Sequence, residues 1–145
     1  MAEAEQAQQA QAPTDPKAIQ WTSRITWQSF EQGQAQAAAE NKPLCLVVYA
    51  DWCGRCKELA PVFERPDVVN LAKRMVMVRQ NGDERPAWLR DRFGSFGEYV
   101  PRVFFIDRRG VHREDLNSGH PRYPYFYSPV AAERLVQSMQ RVLAI

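Results

Sequence analysis

Two kinds of apolar pattern alternate along this chain. Leu44-Cys45-Leu46-Val47-Val48-Tyr49-Ala50 is apolar without interruption, as expected of a strand covered on both faces, and predicts a central strand over 44–50. Met75-Val76-Met77-Val78 predicts a second strand. A third runs from Val100 to Asp107 with Pro101 at its start, and the turn Arg108-Arg109-Gly110 leads to a partner strand from Val111. Between these runs the composition is helical. Thr26 is placed to cap a helix over Trp27 to Glu40, interrupted in composition only by Gly33 and stopped by Asn41-Lys42-Pro43. A helix starts at Cys53 and kinks at Pro61; another is capped by Asp67 and runs to Arg74; a further one covers Glu84 to Phe93. Ser128 and Pro129 open a last helix whose apolar stripe is Ala132, Leu135, Val136, Met139, Val142 and Leu143. Strands alternating with helices predict an α/β fold with parallel strands.

The chemistry sits at one of these junctions. Where the central strand gives way to a helix, the sequence reads Trp52-Cys53-Gly54-Arg55-Cys56-Lys57. A helix N-terminus offers unpaired N–H groups and partial positive charge, which favour a thiolate at Cys53 and make it the nucleophile. Cys56 lies one turn on, close enough to form a disulfide with Cys53 and more deeply placed, which makes it the resolving thiol. Haem attachment requires His after the second cysteine, and Lys57 is there. Zinc requires four ligands, and Cys45, His112 and His120 do not supply a second pair, so neither metal nor cofactor is expected. Cys45, inside the apolar run, reads as a small core hydrophobe, and both histidines read as surface residues.

Composition narrows the class further. The 145 residues, 45% hydrophobic and 25% charged, suffice for one domain with a real core. Residues 1–16, rich in Ala and Gln, read as a disordered tail or linker, leaving 17–145 as the domain. A net charge of +2 with scattered Lys and Arg gives no platform for nucleic acid. No apolar stretch reaches membrane-spanning length, and the start Met1-Ala2-Glu3-Ala4-Glu5 is unlike a signal peptide, so a soluble monomer is expected.

The WCxxC arrangement followed by Lys57 and Pro61 resembles the thioredoxin superfamily. Lys42-Pro43-Leu44, the run Tyr99 to Asp107, Gly110-Val111-His112 and Tyr123-Pro124-Tyr125-Phe126-Tyr127 sharpen this. From about Trp21 to its end the chain resembles the small single-domain thioredoxin-like oxidoreductases of the endoplasmic reticulum related to anterior gradient proteins. That resemblance implies a central mixed β-sheet flanked by helices, with a cis-proline, Pro101, facing the cysteine pair. It implies thiol–disulfide exchange on protein substrates through Cys53 and Cys56, with a redox-recycling partner. Trp52, Gly54, Arg55, Val100 and Pro101 become the substrate-facing positions. An extracytoplasmic setting follows too. The chain ends Arg141-Val142-Leu143-Ala144-Ile145 without a KDEL-type signal, which makes a bacterial periplasm the expectation and the cytoplasm the alternative.

One position departs from the family. Thioredoxins and protein disulfide isomerase domains carry a buried acid six residues before the first cysteine, where this chain has Val47. Resolution of a mixed disulfide is then slow unless water, Asp51, Lys57 or Glu58 takes the Cys56 proton. Arg55 reads two ways: it makes the disulfide more oxidising, or solvent screens it. The aromatic loop Gly119 to Tyr127 is expected mainly to pack, with an exposed remainder able to bind peptide. Two functions stay open, an oxidoreductase and a client-binding, chaperone-like module of the anterior gradient type with incidental redox activity.

Overall fold

Alternation along the central apolar run feeds two cores, one on each side of a sheet. In the computed structural model, which describes residues 17–145, the chain runs β1 (Trp27–Gln28), α1 (Phe30–Glu40), β2 (Leu44–Tyr49), α2 (Gly54–Leu59), α3 (Pro66–Ala72), β3 (Val76–Asn81), α4 (Ala87–Phe93), β4 (Arg102–Ile106) and α5 (Ala132–Leu143). The expected tail, 1–16, lies outside the described residues. The sheet order is β1-β3-β2-β4; β3 is parallel to both β1 and β2, and β4 is antiparallel to β2. This is the mixed, helix-flanked sheet of the thioredoxin-like fold. Leu44, Leu46 and Val48 face a core with Phe30 of α1 and Leu89 and Phe93 of α4. Cys45 and Val47 face the opposite core, shared with Leu59, Val68 of α3 and Leu135, Met139 and Val142 of α5. Each such side chain contributes about 1.5–3 kcal/mol by burial.

Several boundaries differ from the sequence expectation. Trp27 is not helical: it pairs with Met77 in β1, and Ser29, not Thr26, caps α1 by accepting the Gln32 N–H at 3.2 Å. Asp67 is one residue inside α3, which opens on Pro66, and its Oδ1 accepts the Val68 N–H at 2.8 Å. β3 continues to Asn81 because pairing with β2 extends to Tyr49, so backbone bonding outlasts the apolar pattern. Arg85, in the left-handed region at φ 49°, and Pro86 delay α4 to Ala87. Among the described residues the segment from Val111 forms no full partner strand to β4: Asp107 Oδ1 accepts the N–H groups of Arg109 and Val111, and the return is limited to an isolated bridge of Ile106 with His112 and the bonds Asp107 N–H to Val111 O and Arg113 N–H to Phe105 O. Pro61 marks a change from α2 to a 3-10 turn over Ala60–Glu64. Ser128 caps a 3-10 turn, Pro129–Ala131, ahead of α5.

Gly33 has a packing reason. A Cβ there would clash with Val78 Cγ2, where α1 presses on β3. Gly33→Ala is expected to destabilise the fold by about 1–3 kcal/mol through overpacking, exceeding the roughly 1 kcal/mol of helix propensity gained. A thermal melt of the variant checks this, and a raised melting temperature would contradict the close approach.

His112 is not a surface residue. Its ring is half-buried against Phe93, Phe96, Phe104 and Tyr125, with centroids 5.4, 4.8, 5.3 and 5.8 Å away, and Nε2 has no hydrogen-bond partner. Burial holds its pKa below the ordinary histidine value, with Glu114 opposing and Arg92 assisting. The unfolded chain therefore takes up the proton first on acidification, and stability falls as pH drops below about 6.5 until the folded ring also charges. The melting temperature is expected to show this decline, and His112→Leu to lose that component.

Candidate active site

Strand β2 ends at Tyr49, the turn Ala50–Trp52 follows, and Cys53 becomes the N-cap of α2. Its Sγ accepts the backbone N–H of Cys56 at 3.1 Å, and its thiol donates to the Val100 carbonyl oxygen at 3.7 Å. Cys53 is 5% exposed and Cys56 0%. Both cysteines are thus buried, Cys53 marginally less than Cys56. Ile19, Ala50 and Ala60 pack around both, with Trp21, Tyr49 and Val100 at the margin. Burial, first of all, pushes the Cys56 thiol up; the hydrogen bond with Cys53 adds to this, and the Ala50 backbone opposes it.

Val100 approaches Cys53 through its carbonyl, and the peptide between Val100 and Pro101 is cis. Of the two, Val100 is the residue whose contact with Cys53 is seen, through its carbonyl oxygen. Arg102, immediately after, was not singled out by the sequence. Only 4% exposed, it donates to the Gly97 carbonyl and lies over the Tyr99 and Phe104 rings at 6.0 and 5.8 Å, while its Nε is unpartnered. Tyr99 Oη accepts the Tyr125 N–H at 2.9 Å. The segment before Pro101 is thereby tied down at two points.

Trp52 is 69% exposed, yet its indole N–H donates to Asp83 Oδ2 at 2.9 Å. Asp83 follows β3 in a short turn where Asn81 Oδ1 accepts its N–H. Its signal was the Asn-Gly-Asp turn at the C-terminal end of a strand adjacent to β2, the end at which α/β sheets place their sites. A Cβ at Gly54 would meet nothing within 4 Å, so the surface beside Cys53 is open. Arg55 is paired with Glu58 at 3.0 Å, both well exposed, which favours screening over any strong effect on the cysteines.

The aromatic loop mainly packs. Tyr127 is fully buried with its hydroxyl 2.8 Å from Ser138 Oγ, Tyr125 is buried, and the Tyr125 carbonyl accepts the Val103 N–H at 2.9 Å. His120 orders the turn, its Nδ1 accepting the N–H groups of Arg122 and Tyr123. Tyr123 stays exposed, its ring 4.9 Å from Tyr99. Among the described residues, no group of three or more His, Cys, Asp or Glu is placed to hold a metal ion, and no helix is long and apolar enough to cross a membrane.

Comparison with known proteins identifies the family and the fold. A family model for thioredoxin-like proteins matches residues 26–108. Anterior gradient protein 2 of Xenopus tropicalis is 30% identical over 127 residues, covering 86% of this chain and 75% of its own length. Human anterior gradient protein 2 homolog is 26% identical, with 86% and 70% covered. Among solved structures, a thioredoxin from Thermus thermophilus superposes with a TM-score of 0.62 at 16% identity, covering 82% of this chain and 87% of that one. The first thioredoxin domain of mouse protein disulfide-isomerase A4 gives 0.57 at 17% identity, covering 91% and 84%. These two likenesses are of fold.

Proposed function

Because the chain belongs to the thioredoxin-like family, we propose that it is a protein thiol–disulfide oxidoreductase using Cys53 and Cys56 as its redox couple. One observation carries this reading: Cys53 Sγ sits between the Cys56 N–H and the Val100 carbonyl, with Cys56 packed in the same cluster and wholly buried. In the reductive direction, the Cys53 thiolate attacks a substrate S–S bond and one substrate sulfur leaves as thiolate. The Cys56 thiol then loses its proton and attacks Cys53 Sγ, releasing the second substrate sulfur and closing the Cys53–Cys56 disulfide. Oxidation of a substrate dithiol is the same sequence reversed.

Trp52, Gly54 and Arg55 frame the nucleophile on one side. Val100 and Pro101 frame it on the other, and an extended client strand fits between, its backbone alongside residue 100. The substrates are proteins, a separate redox partner recycles the couple, and the setting is extracytoplasmic, with the bacterial periplasm preferred. Equilibration with glutathione followed by alkylation and mass spectrometry tests the couple. Cys53 and Cys56 should convert together as one two-electron pair, and the protein should accelerate insulin reduction by dithiothreitol. Independent oxidation of the two sulfurs, or no acceleration, would overturn the reading.

A second reading, capture of client proteins with incidental turnover, draws on one observation. Cys56 is buried with valine, not a carboxylate, at position 47. Client binding that survives loss of both cysteines, without insulin reduction, would favour it.

A further inference from the structure

Resolution of a mixed disulfide requires the Cys56 thiol to lose a proton, and the sheet below it supplies no acceptor: Val47 is fully buried among Leu59, Phe63 and Val103. Three polar side chains flank the cysteines. Glu58 is exposed and held by Arg55 at 3.0 Å. Lys57 is exposed, and an ammonium does not accept a proton at neutral pH. Asp51 differs from both. It is half-buried in the turn between β2 and Cys53, and its Oδ1 accepts the Ile19 N–H at 3.0 Å, leaving Oδ2 for another partner.

That bond ties the Asp51 side chain to the backbone of Ile19, a residue that packs on the thiol pair. Ile19 packs in the same cluster as Cys53, Cys56, Ala50 and Ala60. The segment is fixed again at Trp21, whose ring lies 5.0 Å from Tyr49 and 6.0 Å from Phe63. Beside Ile19 and Ala60 lies a groove of about 430 Å³ with Lys57 and Pro61 on its wall. We propose that Asp51, held by the Ile19 backbone, is the proton acceptor for Cys56 in the resolving step. The proposal rests on the Cys53–Cys56 reading above.

The step balances. The Cys56 S–H proton passes to the Asp51 carboxylate, and the sulfur's electron pair forms the Cys53–Cys56 bond. The bond between Cys53 and the client sulfur breaks, and the client thiolate takes a proton from the Asp51 carboxylic acid. The charge of Asp51 is felt at the proton-donating Cys56 thiol already, as the last of the influences that raise it after burial and the Cys53 contacts. Among the described residues, the other ionisable groups around this corner are Cys53, the Tyr49 phenol with Arg79 and Glu84 acting on it, and Lys57 and Lys17 at the groove. Burial pushes the Tyr49 phenol up, so it stays protonated across the neutral range.

A fixed negative charge and a proton acceptor predict opposite results, which makes the test decisive. With glutathione attached to Cys53, glutathione release by Cys56 is followed against pH in the wild type, Asp51→Asn and Asp51→Glu. Asparagine keeps an oxygen for the Ile19 N–H but is no base. Release from Asp51→Asn should be slower by about tenfold or more near neutral pH, the gap closing in alkali, while Asp51→Glu retains most of the rate. Equal or faster release from Asp51→Asn would show that the charge only hinders ionisation of Cys56, and would overturn the proposal. Should the asparagine variant not fold, Asp51→Ser is read in the same way. Wild-type protein that releases no more glutathione than Cys56→Ser would instead refute the redox couple itself.

Discussion

Replacing Cys56 with serine is expected to convert the protein from a turnover catalyst into a covalent trap. Cys53 keeps the Val100 carbonyl opposite it, and a serine residue keeps the backbone N–H that donates to Cys53 Sγ. Attack on a substrate disulfide therefore survives, but nothing internal releases the adduct. An intramolecular thiol acts at an effective concentration far above the millimolar external thiols that remain, so release should slow by about a thousandfold or more. Non-reducing gels and mass spectrometry of Cys56→Ser with insulin should show adducts on Cys53, with multiple turnover lost. Cys53→Ser should give neither adduct nor turnover. Adducts that form on Cys56 in the Cys53→Ser protein would reverse the assigned roles.

Val47→Asp is expected to lower stability sharply and to alter exchange only when Asp51 is also changed. The side chain at 47 sits at the centre of β2, fully buried between α2, α5 and β4. Losing the valine's burial and desolvating a carboxyl group together cost about 3 kcal/mol or more, or roughly 12 °C for a domain of this size. The buried carboxyl holds its proton more tightly than it does in the unfolded chain. Its folded pKa is raised, so the penalty is smallest in acid and grows as pH rises past the ordinary aspartate value, until the folded group ionises. Melting curves across that range check the sign. In wild-type background a second acceptor adds little to glutathione release if Asp51 already serves. In Asp51→Asn background the Val47→Asp change should restore release. Restoration in neither background would mean that proton loss does not limit the step.

The sequence made the site legible where chemistry and pattern coincided. An unbroken apolar strand followed by Trp52-Cys53-Gly54-Arg55-Cys56 placed the two sulfurs at a strand-to-helix junction, and Pro101 at the head of an apolar run brought Val100 opposite them. What escaped was tertiary. Asp83 reaches Trp52 across 31 residues of chain, and no local pattern announces such a pairing. Arg102 carried no signal, since arginine is rarely buried, yet Tyr99, Phe104 and the Gly97 carbonyl enclose it. His112 is followed by Arg113 and Glu114, a polar context, and is covered by rings from α4, β4 and the aromatic loop. Trp27–Gln28 is too short for a period-two signal, so only its pairing with Met77 and Val78 reveals a strand. Asp51 was one of several acids near the cysteines, and its bond to Ile19 separates it from Glu58.

Cys45 gives the molecule its own gauge of unfolding. It lies on the middle strand between Met77 and Phe105, wholly buried, with burial pushing its thiol up. In a protein whose Cys53 and Cys56 are both serine it is the lone thiol. A reagent then reaches it only when the strands on both sides of β2 part, so its labelling rate clocks the opening of the sheet centre independently of any exchange reaction.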